Sequence, residues 1–107
     1  MITQQFLQSC TDEQINKGVA WLRFCGMVED GDDWKEYIDL ADIPKDPVWP
    51  EYCANPNDIM PIAFANGIGI RFSLDNGWIA RNKVVLSYSD NPLRAICEVY
   101  ILMSVNK

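Results

Sequence analysis

From Leu93 to Ser104 the apolar positions recur with the period of a helix. Leu93, Ile96, Cys97, Tyr100, Ile101 and Ser104 fall on one face. Ala95, Val99, Leu102 and Met103 widen that face most of the way round, leaving Arg94 and Glu98 as its only charges. A helix this apolar must be covered on more than one side, which predicts it as the centre of the core. Asn91 and Pro92 open it. An Asn side chain accepts from the freed amides of a first turn, and Pro at the first helical position gives up a donor that would be unpaired anyway. Arg94 and Glu98 are expected to form an exposed i, i+4 pair worth roughly a few tenths of a kcal/mol.

A second helical pattern lies near the amino end. Thr11, Asp12, Glu13 and Gln14 read as a capping box with two acids in the first turn. Ile15, Gly18, Val19 and Leu22 then follow the helical period toward Gly26, which predicts a helix over 12–25. Pro44, Pro47, Pro50 and Pro56 forbid a long helix or internal strand between them. The stretch they punctuate is expected to be an ordered, clinging loop packed down by its aromatics, with a short strand or helical turn at 34–40. A third helix is expected over IMPIAFA, with Asn57 as its cap because Pro61 is best tolerated near a helix start. Asn66 and Gly67 end it.

Beyond Gly67 the period changes to two. Ile68, Ile70 and Phe72 alternate with Gly69, Arg71 and Ser73, the pattern of a strand with one buried face. Asp75, Asn76 and Gly77 signal a turn before a strand over 78–80. Asn82 and Lys83 signal another before a strand over 84–88. The predicted fold is a single α+β domain over 1–107. It comprises an antiparallel three-stranded meander packed by a C-terminal helix, an N-terminal helix, and a long acidic, aromatic loop. Leu93, Ile96 and Tyr100 are expected to bury against Ile70, Phe72 and Val85.

These elements also carry a resemblance. Tyr52, then Asn57 to Ile62, then Trp78, Ile79 and Ala80, then Asn91 to Ala95 resemble small proteins of tailed phages and prophages of the phage alpha-beta-alpha sandwich type. The likeness covers roughly residues 50–103, and the acidic stretch 29–46 has no counterpart in it. It implies a fold, a mobile-element origin and an accessory role, and no catalytic residue.

Charge sharpens the picture. Residues 29–58 hold ten acids against Lys35 and Lys45, a balance of −8, whereas the remainder is +2; this one region explains the whole net charge of −6. Its bland reading is a solvated loop that aids solubility. The sharper reading is a surface for a basic partner. Asp30, Asp32, Asp33, Glu36 and Asp39 would supply its charge and Trp34, Tyr37 and Trp49 its aromatic anchors. Direct nucleic-acid binding is disfavoured without a basic stripe, although Arg71, Arg81 and Lys83 project from the sheet and make a shared basic patch conceivable.

The chain has no histidine, which removes Ser-His and Cys-His pairs, the usual neutral-pH base and the commonest zinc ligand. The acids after Asp30 miss the calcium-loop pattern, since Trp34, Lys35 and Ala41 stand where an oxygen ligand, Gly and Glu are needed. Ile68, Gly69 and Ile70 lie in a strand pattern, not in a phosphate loop. No metal or cofactor is expected. Cys10, Cys25, Cys53 and Cys97 form no CxxC pair. They read as reduced, buried thiols of a cytoplasmic protein, because the amino terminus lacks a secretion-signal pattern and no apolar run could span a bilayer.

The leading expectation is therefore a non-enzymatic phage or prophage accessory protein that binds a host or phage protein. One version is a counter-defence inhibitor that offers its acidic surface to a nucleic-acid-binding host protein. A homo-oligomeric structural or regulatory phage factor is the second reading. A small-molecule binder, or a histidine-free hydrolase using loop carboxylates, is the third.

Overall fold

A computed structural model describes residues 3–24 and 51–105. The expectations for 25–50, including the strand or turn at 34–40, the helix stop at Gly26 and the thiol of Cys25, lie outside the described residues.

The first helix, α1 (Gln4–Ser9), has no counterpart in the sequence pattern, because six residues are too few to display a period. Its cap explains it. The Thr3 hydroxyl accepts from the Phe6 amide at 3.1 Å, and Leu7 is driven fully inside. The capping box then starts α2 (Asp12–Phe24) as predicted. The Thr11 amide donates to the Gln14 side chain at 2.8 Å, and the Gln14 amide donates back to the Thr11 hydroxyl at 3.2 Å. Ile15, Val19 and Leu22 line the buried face of α2.

α3 (Pro56–Ala65) begins earlier than expected. Asn55, not Asn57, is the cap, and its side chain accepts from the Asn57 amide at 3.0 Å. Pro56 occupies the first position, where its missing donor costs nothing. Pro61 therefore does sit inside the helix. It removes only the bond to the carbonyl of Asn57, in an exposed first turn where water can replace it. Asn66 and Gly67 terminate α3 as predicted, with Gly67 at φ 65° and the Ile68 amide returning to the Ala63 carbonyl at 3.0 Å.

The meander is β1 (Gly69–Ser73), β2 (Gly77–Arg81) and β3 (Leu86–Ser89), antiparallel throughout and in sequence order. Gly77 has φ 78°, and a Cβ there would meet the Ser89 carbonyl oxygen at 2.9 Å, so the turn and the strand contact both demand glycine. β3 starts two residues later than expected. Val84 and Val85 are spent on a turn in which the Asn82 side chain accepts from both their amides, leaving Val84 78% exposed.

α4 (Pro92–Val105) is the predicted central helix. The Asn91 side chain accepts from the Leu93 amide at 3.0 Å, and Ala95, Ile96, Cys97, Val99, Ile101 and Leu102 are buried on several sides. The register puts Ile70, Phe72, Ala80 and Ser87 on the sheet face toward this helix, and Arg71, Ile79, Arg81, Leu86 and Tyr88 on the other. The expected burial of Ile70 and Phe72 is a correction. They point to the correct side, but α4 lies over β2 and β3, so edge strand β1 falls beyond its cover. Ile70 is 40% and Phe72 58% exposed, and Phe72 finds only an edge-on contact with Trp78, ring centres 5.4 Å apart. Leu93, Tyr100 and Val85 are half-buried at the margin of the core, and Ile96 is at its centre.

Candidate functional site

The predicted partner surface, Asp30, Asp32, Asp33, Trp34, Glu36, Tyr37, Asp39 and Trp49, lies entirely outside the described residues. Its mounting is described. The segment leaves from the end of α2 and rejoins at Glu51, immediately before two fully packed residues, Tyr52 and Cys53. The Cys53 amide donates to the Asn16 side chain at 2.9 Å, and the Asn91 side chain donates to the Cys53 carbonyl at 2.6 Å. The return point is thus tied to both α2 and the start of α4.

Within the described residues, ionised groups gather in two places. The first corrects the expected exposed pair of Arg94 and Glu98. The Glu98 side chain is 1% exposed and that of Arg94 14%, because α1 and the start of α2 cover this side of α4. The Arg94 Nε donates to Glu98 Oε2 at 2.9 Å, and Nη1 donates to Asp12 Oδ1 at 2.7 Å. Nη2 donates to the carbonyls of Leu7 at 2.9 Å and Cys10 at 2.6 Å. One planar fork thereby satisfies carbonyls at the end of α1, an acid in the first turn of α2, and a buried acid on its own helix. Burial pushes the Glu98 carboxyl above its ordinary value, against the opposing pull of its bonds to Ser87 and Arg94. For Arg94, burial works to lower the pKa, but the bonds to Asp12 and Glu98 outweigh it and the guanidinium is held charged.

Ser87 donates its hydroxyl to Glu98 and is fully buried, so no substrate can reach its oxygen. Cys10, Cys53 and Cys97 are buried, and burial, with Cys53 alongside, pushes the Cys97 thiol well up, away from the reactive thiolate. No group of three or more metal-ligating side chains occurs among the described residues, and no helix there is long and apolar enough to cross a membrane.

The second gathering is a division of charge along the sheet. At the β1–β2 turn, an open cleft of about 730 Å³ is lined by Asp75, Asp90, Leu74 and Tyr88 together with Asp12, Arg94 and Glu98 of the first cluster. At the other end, a concavity of about 650 Å³ is walled by Arg71, Arg81 and Lys83 around Gly67 and Gly69. The register explains the company of the two arginines: Arg81 pairs with Gly69 and Ile79 with Arg71, so both arginines project from one face of adjacent strands. Among the described residues, no side-chain hydrogen bond or ion pair engages Arg71, Arg81, Lys83, Asp75 or Asp90. The basic patch was legible from strand alternation, whereas the reach of Arg94 to Asp12 spans 82 residues and had no local signal. No family model matches the sequence, and neither a curated protein nor a solved structure matches the chain.

Proposed function

We propose that this chain is a non-enzymatic phage or prophage accessory protein that works by binding another protein. In this reading the acidic segment is offered to a basic, nucleic-acid-binding surface of a host protein, as a counter-defence inhibitor would offer it. The observation that carries the reading is the confinement of the whole acid excess, −8, to residues 29–58. Charge concentrated in this way raises association rates with a basic partner and selects against acidic ones. The anchoring of Cys53 to α2 and to the start of α4 supports it further, since a fixed base limits the ordering cost of binding.

The test is capture of a host partner by the full chain at low and high salt, followed by competition with nucleic acid. Binding should be salt-sensitive and should be displaced by nucleic acid. Reversing Asp32, Asp33 and Glu36 to Lys should slow association while leaving the fold intact. Trp34→Ala or Trp49→Ala should instead speed dissociation at any salt concentration. Partner binding that survives the charge reversal and both Trp changes would overturn the reading. The homo-oligomeric alternative gains support from a separate observation, the division of charge along the sheet.

A further inference from the structure

We propose that the sheet is a head-to-tail docking element, in which the basic end walled by Arg81 and Lys83 receives the acidic end, Asp75 and Asp90, of a second copy of this chain. The inference stands on the described sheet alone and does not depend on the acidic segment.

The two ends are built by the hairpin connections. Asp75 follows β1 and Asp90 follows β3, and both lie beside Gly77 at one end of the strands. Arg81 closes β2 and Lys83 follows it at the other end, with Arg71 one diagonal step inward. β1 and β2 pair over five positions. At roughly 3.3 Å per residue the ends are about 13 Å apart, farther than the screening length of about 8 Å at physiological ionic strength. The strands are extended and rigidly paired, so one end cannot fold back to neutralise the other. In a second copy placed in the same direction, the unlike ends meet. A two-fold arrangement of like ends would instead set the free charges against each other.

Apolar exposure follows the same axis. Leu74, beside Asp75, is 93% exposed; Val84 and Leu86, flanking the basic end, are 78% and 51% exposed. Contact of unlike ends would cover an apolar tip with an apolar patch inside a ring of paired charge, the arrangement that interfaces favour. Such a contact is heterologous, so it leaves one end of each type open and extends to rings or chains as concentration rises.

The experiment measures self-association of the full chain by sedimentation at low and high salt, with far-UV circular dichroism to confirm folding. Wild type should associate with increasing concentration, and salt should weaken that association. Arg81→Glu with Lys83→Glu should be monomeric, as should Asp75→Lys with Asp90→Lys, each weakened roughly tenfold or more. Mixing the two reversed proteins should restore association, because one then carries two acidic ends and the other two basic ends. If a reversal disturbs the fold, the neutral pairs Arg81→Gln with Lys83→Gln and Asp75→Asn with Asp90→Asn should each weaken association. A wild type that stays monomeric at low salt would overturn the proposal, as would association that ignores every variant. If only the basic-end change abolishes association, the acidic stretch 29–58 is the occupant and the end-to-end contact is refuted.

Discussion

Ser87 donates its hydroxyl to Glu98 across 2.6 Å, and the two side chains are 0% and 1% exposed. A strand and a helix are thereby joined through the interior by a polar contact, with Arg94 completing the charge balance from the same helix. Such a group is costly to break by halves. Arg94→Ala would leave a buried carboxylate without its cation and the Cys10 carbonyl without its donor, and should lower unfolding free energy by about 3–5 kcal/mol. Glu98→Gln keeps an acceptor for Ser87 and should cost less. Urea denaturation of both variants checks this, and equal losses would show that the carboxylate's charge contributes as much as the whole fork.

The pH dependence of the same group has a definite sign. Glu98 titrates higher in the folded chain than in the unfolded one, chiefly through burial. Between those two values the folded state binds a proton that the unfolded state does not. The contribution of this group is therefore fully present below the unfolded value and is lost as pH rises through the folded one. Acidification through that window should raise wild-type stability relative to Glu98→Gln, and the difference should then level off. Melting curves of both proteins across the carboxylate range measure it; a difference that shrinks in acid would contradict the assignment.

Ile96 is fully buried at the centre of α4. Ile96→Ala should cost about 2–5 kcal/mol, as truncations in close-packed cores do. Ile70→Ala should cost far less, because Ile70 is 40% exposed on the uncovered edge strand. A comparison of denaturation midpoints tests both, and similar losses at the two sites would refute the placement of α4 over β2 and β3.

Tyr52 offers the opposite expectation. Its ring is fully buried, and among the described residues its hydroxyl has no hydrogen-bond partner. Tyr52→Phe keeps the ring and removes the unsatisfied group, so stability should hold or rise by about 1–2 kcal/mol. A clear loss of melting temperature would show that the hydroxyl is satisfied in solution.

Local signals were legible and distant ones were not. The capping box at Thr11 and Gln14, the Asn91 cap, the Gly67 stop and the hairpin glycine at 77 each act within a few residues, and each stands where sequence chemistry puts it. The face of Ile70 and Phe72 was legible, but their exposure was not, because alternation reveals which way a side chain points and not how far a helix extends over it. The cap falls at Asn55 rather than Asn57 because Pro56 suits the first helical position, while Pro61 forfeits only one bond in an exposed turn. Arg94 looked like half of a surface pair because only the folded chain brings Asp12, Leu7 and Cys10 to it. At the candidate site, the basic end of the sheet followed from strand alternation. Its opposition to Asp75 and Asp90 required the register.

The bond from Arg94 to the Leu7 carbonyl joins residues 87 positions apart. The first helices leave the ribosome long before the guanidinium that fixes their ends has been synthesised, and their apolar sides have no seat until α4 arrives. Completion of this fold therefore waits for the synthesis of α4 and carries a loop-closure cost, and nascent chains stalled before Arg94 should be captured by chaperones.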